Sequence, residues 1–472
     1  MCRGCLKVLK LVYKLFIKMG KFPSKTRRNA SCLLLKESFA QLHGEAKNMG
    51  SEMWVAGRIV GILDDGFVLQ DESGRVDVRW VEKVRVGDIV EVMASASFEA
   101  LGDLKECAVF VGREVVVLVS CEDNFFIRPS DPNYRRAVLD LSFMERMKRR
   151  ALVVDGIREF FKGEDFLEVE TPELVRLPGM EPYLDVFKTE FVSTKGAAED
   201  LYLITSPEYA MKKLLVSGCE KIFQICKSFR NKEVDSNLHN PEFTLLEWYR
   251  AYADFEDIMK DTENLVDYLA KKVCGGSKVL FQGNEVDVST PWPRVRAADL
   301  FAEFAGIDAE TFEDEEKLRI ITMKKGYKAP RGTSYDDLFF SIFMNEIEPK
   351  LGLNKPVIVY EYPASMAALA KKCAGNSAYA ERFEVYVAGM ELCNAFTELN
   401  DPCEQEERFA FEREERIKMG KEDYAVDQSF IAALEFGMPP SGGNALGVDR
   451  LVMLLTDSPD IRDVLFFPHK DL

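Results

Sequence analysis

The stretch from Phe229 to Tyr249 reads FRNKEVDSNLHNPEFTLLEWY, a short polar loop held between two apolar runs. Its polar side chains are those that a triphosphate and a carboxylate require. Arg230 offers a forked donor to phosphate or carboxylate oxygens, His239 can reach a terminal phosphate, and Phe243 presents a flat face to a base. Tyr249, which closes the stretch, adds a phenolic hydroxyl that can hydrogen-bond a ligand. A second cluster, RFEVYVAGMELCNAFTELND, runs from Arg382 to Asp401 and is rich in acid. Strand alternation and a turn at Ala388-Gly389 bring Glu384 near Glu391, and two hard oxygen ligands plus phosphate oxygens are what Mg2+ needs around ATP. Beyond them Asn394, Phe396 and Glu398 alternate onto one face.

These groups need rigid elements to hold them. A strand, a loop and a returning strand put Arg230, His239 and Phe243 on one surface. Upstream, apolar periodicity predicts a helix from about Ser142 to Phe161, followed by FLEVETP as a strand ending at Pro172. VIVYEYPAS reads as a buried strand, and GNALGVDRLVMLL as the start of an apolar helix. Residues from about Leu265 to Leu351 read as a peripheral helical insertion with solvated faces and no chemistry. From Trp54 to about Val119 short β-rich runs broken by Gly-Asp or Asp-Gly turns suit a small barrel.

The 21-residue stretch resembles motif 2 of the class II aminoacyl-tRNA synthetases, and HNPEFTLLEWY is most similar to the lysyl branch. The resemblance implies an α+β architecture: an antiparallel catalytic sheet flanked by helices, preceded by an OB-like all-β barrel. It divides the chain into a basic extension (1–49), the barrel (50–121) and the catalytic domain (122–472). Helix, strand and Pro172 resemble motif 1, which implies a homodimer. LYLITSPEYAMKKLL resembles the substrate-amine segment, with Glu208 facing the amino group; as a bare residue Glu208 would be a solvated helix-start carboxylate. Gly447, Asp449 and Arg450 resemble motif 3, with Arg450 stacking on adenine and reaching the triphosphate. Glu398 becomes the counter-ion of a lysine side-chain ammonium, and Asn394 a carboxylate or amine partner. Two departures stand out in motif 2. Its loop is one residue longer than the lysyl pattern, and Lys232 stands where the family has glutamate, so Glu233 is expected to take that role.

Within the lysyl branch, SPEYAMKKLL, FQICKSFRN, EYPAS, VDQSFI and ALGVDRLVML resemble the elongation factor P lysine ligases, which charge a protein lysine in place of tRNA. The implied activity is ATP-dependent activation of lysine or (R)-β-lysine as an aminoacyl-adenylate, with Mg2+, and transfer to elongation factor P. Cys393 occupies a place that is Gly in lysyl-tRNA synthetases and Ala in these ligases, while Ala395 matches neither group. Two alternatives accompany this reading: a lysyl-tRNA synthetase charging tRNA-Lys, and a non-catalytic amino-acid-sensing paralogue.

Composition narrows the field further. The chain has 472 residues, 47% of them hydrophobic, and a formal net charge of −17, which argues against broad wrapping of nucleic acid but not against a local basic groove. The barrel region carries 7 Lys or Arg against 12 Asp or Glu. Asp77 stands where related anticodon barrels carry glutamine, with Phe67 as the candidate base-stacking residue, so a docking or structural barrel is expected ahead of an anticodon reader. Only three histidines occur, His43, His239 and His469, too few for a multi-histidine metal site. The 11 cysteines are scattered, which fits reduced thiols in a cytoplasmic protein. Cys2 and Cys5 have CxxC spacing without a second pair. No acidic residue precedes Glu37, and Lys7, Lys10, Lys14 and Lys18 describe a basic amphipathic helix, with Met19 and Met49 as later starts. No run of about 18 uncharged apolar residues exists to span a membrane.

Overall fold

The computed structural model describes residues 53–71, 74–80, 82–100, 106–120, 132–136, 140–233, 236–367 and 369–472. The basic extension, with Cys2, Cys5 and the lysine stripe, lies outside the described residues. Two compact units divide at Met144.

In the first unit, β1 (Met53–Leu63), β2 (Gly66–Asp71), β3 (Gly74–Arg79), β4 (Ile89–Ala100) and β5 (Glu106–Val119) close into a barrel of order β1-β2-β3-β5-β4. Inward positions repeat every second residue and must be apolar to fill so small a barrel. Val55, Ile59, Phe67, Leu69, Val76, Val78, Val90 and Val92 do so. Phe67 shares the inward parity of Leu69 and is fully buried, so it is a core residue and not a surface for stacking bases. Asp77 falls between the buried Val76 and Val78 and points outward, exposed.

The second unit is built on an eight-stranded sheet. Its strands are β6 (Leu167–Glu168), β10 (Lys221–Phe229), β11 (Glu242–Ala251), β14 (Arg294–Arg296), β15 (Val357–Pro363), β16 (Tyr379–Val387), β17 (Met390–Thr397) and β18 (Ser441–Gly447). The order is β14-β15-β16-β17-β18-β11-β10-β6, antiparallel except for the end pairs β6/β10 and β14/β15. A separate three-stranded sheet joins β7 (Leu174–Val175), β9 (Ala198–Leu203) and β8 (Lys188–Val192). Helix α1 (Leu141–Gly163) precedes β6; α2 (Glu208–Val216) packs on β11, and α3 (Phe255–Cys274) on β17 and β18. Later come α4 (Glu315–Lys324), α5 (Tyr335–Ile342), α6 (Pro402–Lys418), α7 (Gln428–Gly437) and α8 (Val448–Leu455). Asp254 caps α3 by accepting from the backbone N of Glu256 and Asp257, and Gly275 ends it in the left-handed conformation, a pairing of caps that fixes both ends of the helix.

The region expected to be a solvated insertion is more than that. A small hairpin, β12 (Lys278–Phe281) with β13 (Asn284–Asp287), leads to β14 in the main sheet. Phe301, Phe312, Phe339 and Phe343 then form a second core against Tyr362 and Tyr386 of β15 and β16. Aromatic side chains bury too much area to be left on a periphery. Among the described residues, no helix is long and apolar enough to cross a membrane.

Candidate active site

The β10/β11 hairpin carries the first cluster. Ser228 pairs with Phe243 and Gln224 with Glu247, and the Arg230 backbone N donates to Pro241 O at 2.9 Å, closing the base of the loop. The Arg230 guanidinium lies 5.2 Å from the Phe243 ring centroid, a cation–π contact. Its Nε is buried with no hydrogen-bond partner. A buried donor without an acceptor is unfavourable by itself, and an anion would satisfy it.

Arg450, on the first turn of α8, ties the loop tip to the second cluster. Its Nη1 donates to Glu391 O at 2.8 Å and Glu391 Oε2 at 3.2 Å, and its Nη2 lies 3.0 Å from His239 Nε2. Since arginine only donates, Nε2 accepts, and the ring proton sits on Nδ1, 3.0 Å from Ser236 Oγ. Burial and the charges of Arg450 and Arg230 push the His239 pKa down to about 4, so this histidine is neutral at pH 7. Asp449 holds the frame: its Oδ2 accepts from Thr244 N at 2.7 Å, and Oδ1 pairs with Arg150 of α1 at 2.6 Å. Lys232 has a left-handed φ of 66° and pairs with Asp185 at 3.1 Å. Glu233 follows it half-buried, and among the described residues no hydrogen bond or ion pair joins it to Arg230, His239 or Arg450.

The second cluster owes its geometry to a bulge. Ala388 and Gly389 both have positive φ, as a two-residue hairpin turn requires, but the register shifts between Val385 and Tyr386. Strict alternation would group Glu391 with Cys393 and Ala395. The extra residue instead puts Glu391 in phase with Asn394 and Phe396, which are all half-buried while Leu392, Cys393 and Ala395 are buried. Glu384 pairs with Asn394 across the strands. Its carboxylate accepts from Tyr362 Oη at 2.6 Å, Tyr386 Oη at 2.5 Å and Arg382 Nη2 at 2.5 Å. Arg382 also donates to Asn394 Oδ1 at 3.1 Å and lies 6.0 Å from the Phe396 ring centroid.

Burial and the charges of Glu391 and Glu384 push the carboxyl of Glu348 up to about 7. Burial opposes ionisation of Glu391 as well, but Arg450 and Arg230 outweigh it and hold that pKa low. Carboxylates that repel one another in this way suit a divalent cation. Among the described residues no three His, Cys, Asp or Glu side chains are arranged to hold a metal, so phosphate oxygens would have to complete a Mg2+ shell.

The third group lies under β11 and α2. Lys212 is fully buried, and its Nζ is 2.6 Å from Glu208 Oε1 and 2.5 Å from Glu398 Oε2. Ser206 Oγ donates to Glu247 Oε1 at 2.6 Å and accepts from Glu208 N at 3.0 Å, while Tyr249 Oη donates to Glu247 Oε2 at 2.9 Å. Glu398 Oε1 is buried without a hydrogen-bond partner. Beside it, a Cβ on Gly443 would stand 2.3 Å from that oxygen and 2.4 Å from Tyr249 Cε1, so only glycine lets Glu398 and Tyr249 pack this close. Burial pushes the Glu247 carboxyl up to about 8, helped by the charges of Glu208 and Glu398. Burial does the same to Glu398, also to about 8, beyond what the Lys212 ammonium offsets. Burial alone would lower the Lys212 pKa, but Glu208 and Glu398 raise it. One ammonium among three carboxylates leaves two negative charges without a cation, and the free pocket keeps protons in their place.

The structure thus gathers Arg230, His239, Phe243, Glu391 and Arg450 at one locus, Glu384, Asn394 and Phe396 around Arg382, and Glu208, Tyr249 and Glu398 around Lys212. Sequence reasoning passed over Glu247, Lys212, Arg382 and Glu348. Two of these had a signal: Glu247 shares the strand face of Tyr249 at i−2, and Lys212 lies at i+4 from Glu208 on a helix.

Comparison with known proteins gives a consistent picture. The family described as tRNA synthetases class II (D, K and N) matches residues 132–471. The lysine–tRNA ligase of Clostridium novyi (strain NT) is 41% identical over 350 residues, covering 72% of this chain and 67% of that protein. The lysine–tRNA ligase of Clostridium perfringens (strain 13) is 34% identical over 472 residues, covering 94% and 91%. That of Moorella thermoacetica is 34% identical over 463 residues, covering 93% and 91%.

Proposed function

The chain belongs to the class II tRNA synthetases of the D, K and N group, and from that membership we propose that it is an ATP-dependent ligase that activates lysine and charges tRNA-Lys. The observation that carries the substrate is the charge count around the buried Lys212. Lysine brings two ammonium groups and one carboxylate; Glu208, Glu247 and Glu398, less Lys212, offer two uncompensated negative charges. In this assignment Glu398 and Tyr249 receive the side-chain ammonium, Glu208 the amine beside the carboxylate, and Asn394 and Phe396 the wall between pocket and nucleotide. Phe243 and Arg450 sandwich the adenine, with His239 and Glu233 toward the phosphates. Mg2+, held by Glu384 and Glu391 together with phosphate oxygens, would neutralise the triphosphate.

In the chemical step a lysine carboxylate oxygen attacks the α-phosphorus and pyrophosphate leaves. Arg230 stabilises the charge that develops on the α-phosphate, and no general base is needed because the nucleophile is already ionised. The neutral His239 suits a site crowded with Arg230 and Arg450, where a further cation would be repelled.

The acceptor reading turns on the relatives. Those compared are named lysine–tRNA ligases, and the similarity to two of them spans more than nine-tenths of this chain, which supports tRNA-Lys ahead of the elongation factor P acceptor expected from local motifs. Buried Phe67 and exposed Asp77 supply no stacking or base-donor group, so we assign the barrel a docking role. The homodimer belongs to the same proposal, supported by Leu152, Leu167 and Leu174, which stay exposed along α1, β6 and β7. We place the enzyme in the cytoplasm. The test offers purified protein, ATP, Mg2+ and either lysine or (R)-β-lysine to tRNA and to unmodified elongation factor P in parallel. Acid-precipitable label on tRNA with lysine is the expected result. A mass gain on elongation factor P alone, greatest with (R)-β-lysine, would replace the tRNA reading. Adenylate formation with neither amino acid would leave the non-catalytic paralogue.

A further inference from the structure

Glu181 lies in the segment between β7 and β8, outside the three motifs. With Ser206 and Glu208 it lines one small cleft. Its backbone neighbourhood is held firmly. Arg416 of α6 donates Nη1 to Glu181 O at 2.9 Å and Leu184 O at 3.1 Å, Met180 N donates to Tyr209 Oη at 3.2 Å, and Tyr424 Oη donates to Gly179 O at 2.9 Å. The side chain is held only by a hydrogen bond from its own backbone N, and its Oε2 is buried and accepts no hydrogen bond. A Cβ on Gly179 would stand 2.2 Å from that oxygen, so the chain is built to leave room for it.

A carboxylate in that position is costly without a cation. The charged groups that act on it are Glu208, Arg230 and Arg416, with Glu412 of α6 facing it in turn. Arg416 spends its Nη1 on backbone carbonyls, and Glu208 and Glu412 add like charge. Arg230 and Arg416 favour its charge without hydrogen-bonding Oε2, so the partner it lacks is a donor cation such as an ammonium, in the cleft that Glu181 shares with Glu208.

We propose that Glu181 is a second carboxylate for the ammonium beside the substrate carboxylate, pairing with Glu208 to reject lysine-like molecules that lack that amine. The inference rests on the lysine-activation reading and deepens it. Burial and the Glu208 charge hold the Glu181 carboxyl above its usual range, so a bound ammonium would also relieve that strain.

The experiment measures amino-acid-dependent pyrophosphate exchange into ATP by the full chain and by Glu181→Gln, with lysine and with ε-aminocaproate, which is lysine without its α-amine. Glu181→Gln should raise KM for lysine about tenfold, the equivalent of about 1.4 kcal/mol, leave KM for ATP within about twofold, and narrow the preference for lysine over ε-aminocaproate by the same factor. Glu181→Asp, which keeps the charge, should restore most of the preference and guards against a folding defect in the amide variant. A Glu181→Gln enzyme that loses both amino acids equally, or loses ATP equally, overturns the proposal and makes Glu181 a partner of Arg416. Absence of exchange by the unaltered protein overturns the activation reading and this inference with it.

Discussion

Lysine binding should drive protons out of the pocket. In the free protein burial sets the carboxyls of Glu247 and Glu398 near about 8, so at pH 7 each is about nine-tenths protonated. Two incoming ammonium groups supply the charge those protons now neutralise. Lysine binding at pH 7 should therefore release between about one and two protons, and the affinity should tighten about fivefold per group between pH 7 and 8 as the ionised fraction grows from about a tenth to a half. Titration calorimetry in two buffers of different ionisation enthalpy reads the proton number directly. The same linkage reaches stability. A carboxyl whose folded pKa exceeds its unfolded value of 4.5 stabilises the fold below about 4.5 and loses that contribution as pH rises through about 8. His239 works in the opposite sense, losing stability as pH falls from 6.5 toward about 4. The window where only the carboxyls act is thus about pH 6.5 to 8. Across it the melting temperature of the free protein should fall with pH, and saturating lysine should flatten the slope. Proton uptake, or no proton change, would refute the pocket electrostatics described above.

Three further outcomes are expected. Arg230→Ala should abolish adenylation by removing stabilisation of the developing phosphate charge, a loss of about 3 kcal/mol or more in exchange kinetics; near-normal exchange would detach Arg230 from the chemistry. Glu398→Gln should weaken lysine far more than ATP, read as separate KM values, and equal effects would move Glu398 out of the amine pocket. Asp449→Asn breaks the buried pair with Arg150 and should destabilise the second unit by about 3 kcal/mol in denaturant unfolding; a change under about 0.5 kcal/mol would mark the pair as dispensable.

Much of this site was legible because it is written in short stretches. Motif 2 is one hairpin, so its loop residues stay together whatever the rest of the chain does, and Arg450 is read only through the resemblance of its segment to motif 3. Legibility failed where geometry departs from simple periods or depends on distant segments. The bulge beside Tyr386 changes which residues of β17 share a face, and no alternation pattern announces it. Phe67 was misread because an aromatic on a barrel strand looks the same in sequence whichever side it faces; parity with Leu69 held the answer. The second aromatic core was missed because helical periodicity says which face is apolar, not what covers it. Glu348 and Glu181 come from segments far from the motifs in sequence, so only the folded chain brings their charge to the site.

The most direct measurement is lysine-dependent pyrophosphate exchange into ATP by the purified full chain, with the other proteinogenic amino acids as controls. Exchange that requires lysine and Mg2+ and disappears in Arg230→Ala is the predicted result. Exchange with another amino acid, or with none, would contradict the claim that this pocket is built for a diammonium substrate.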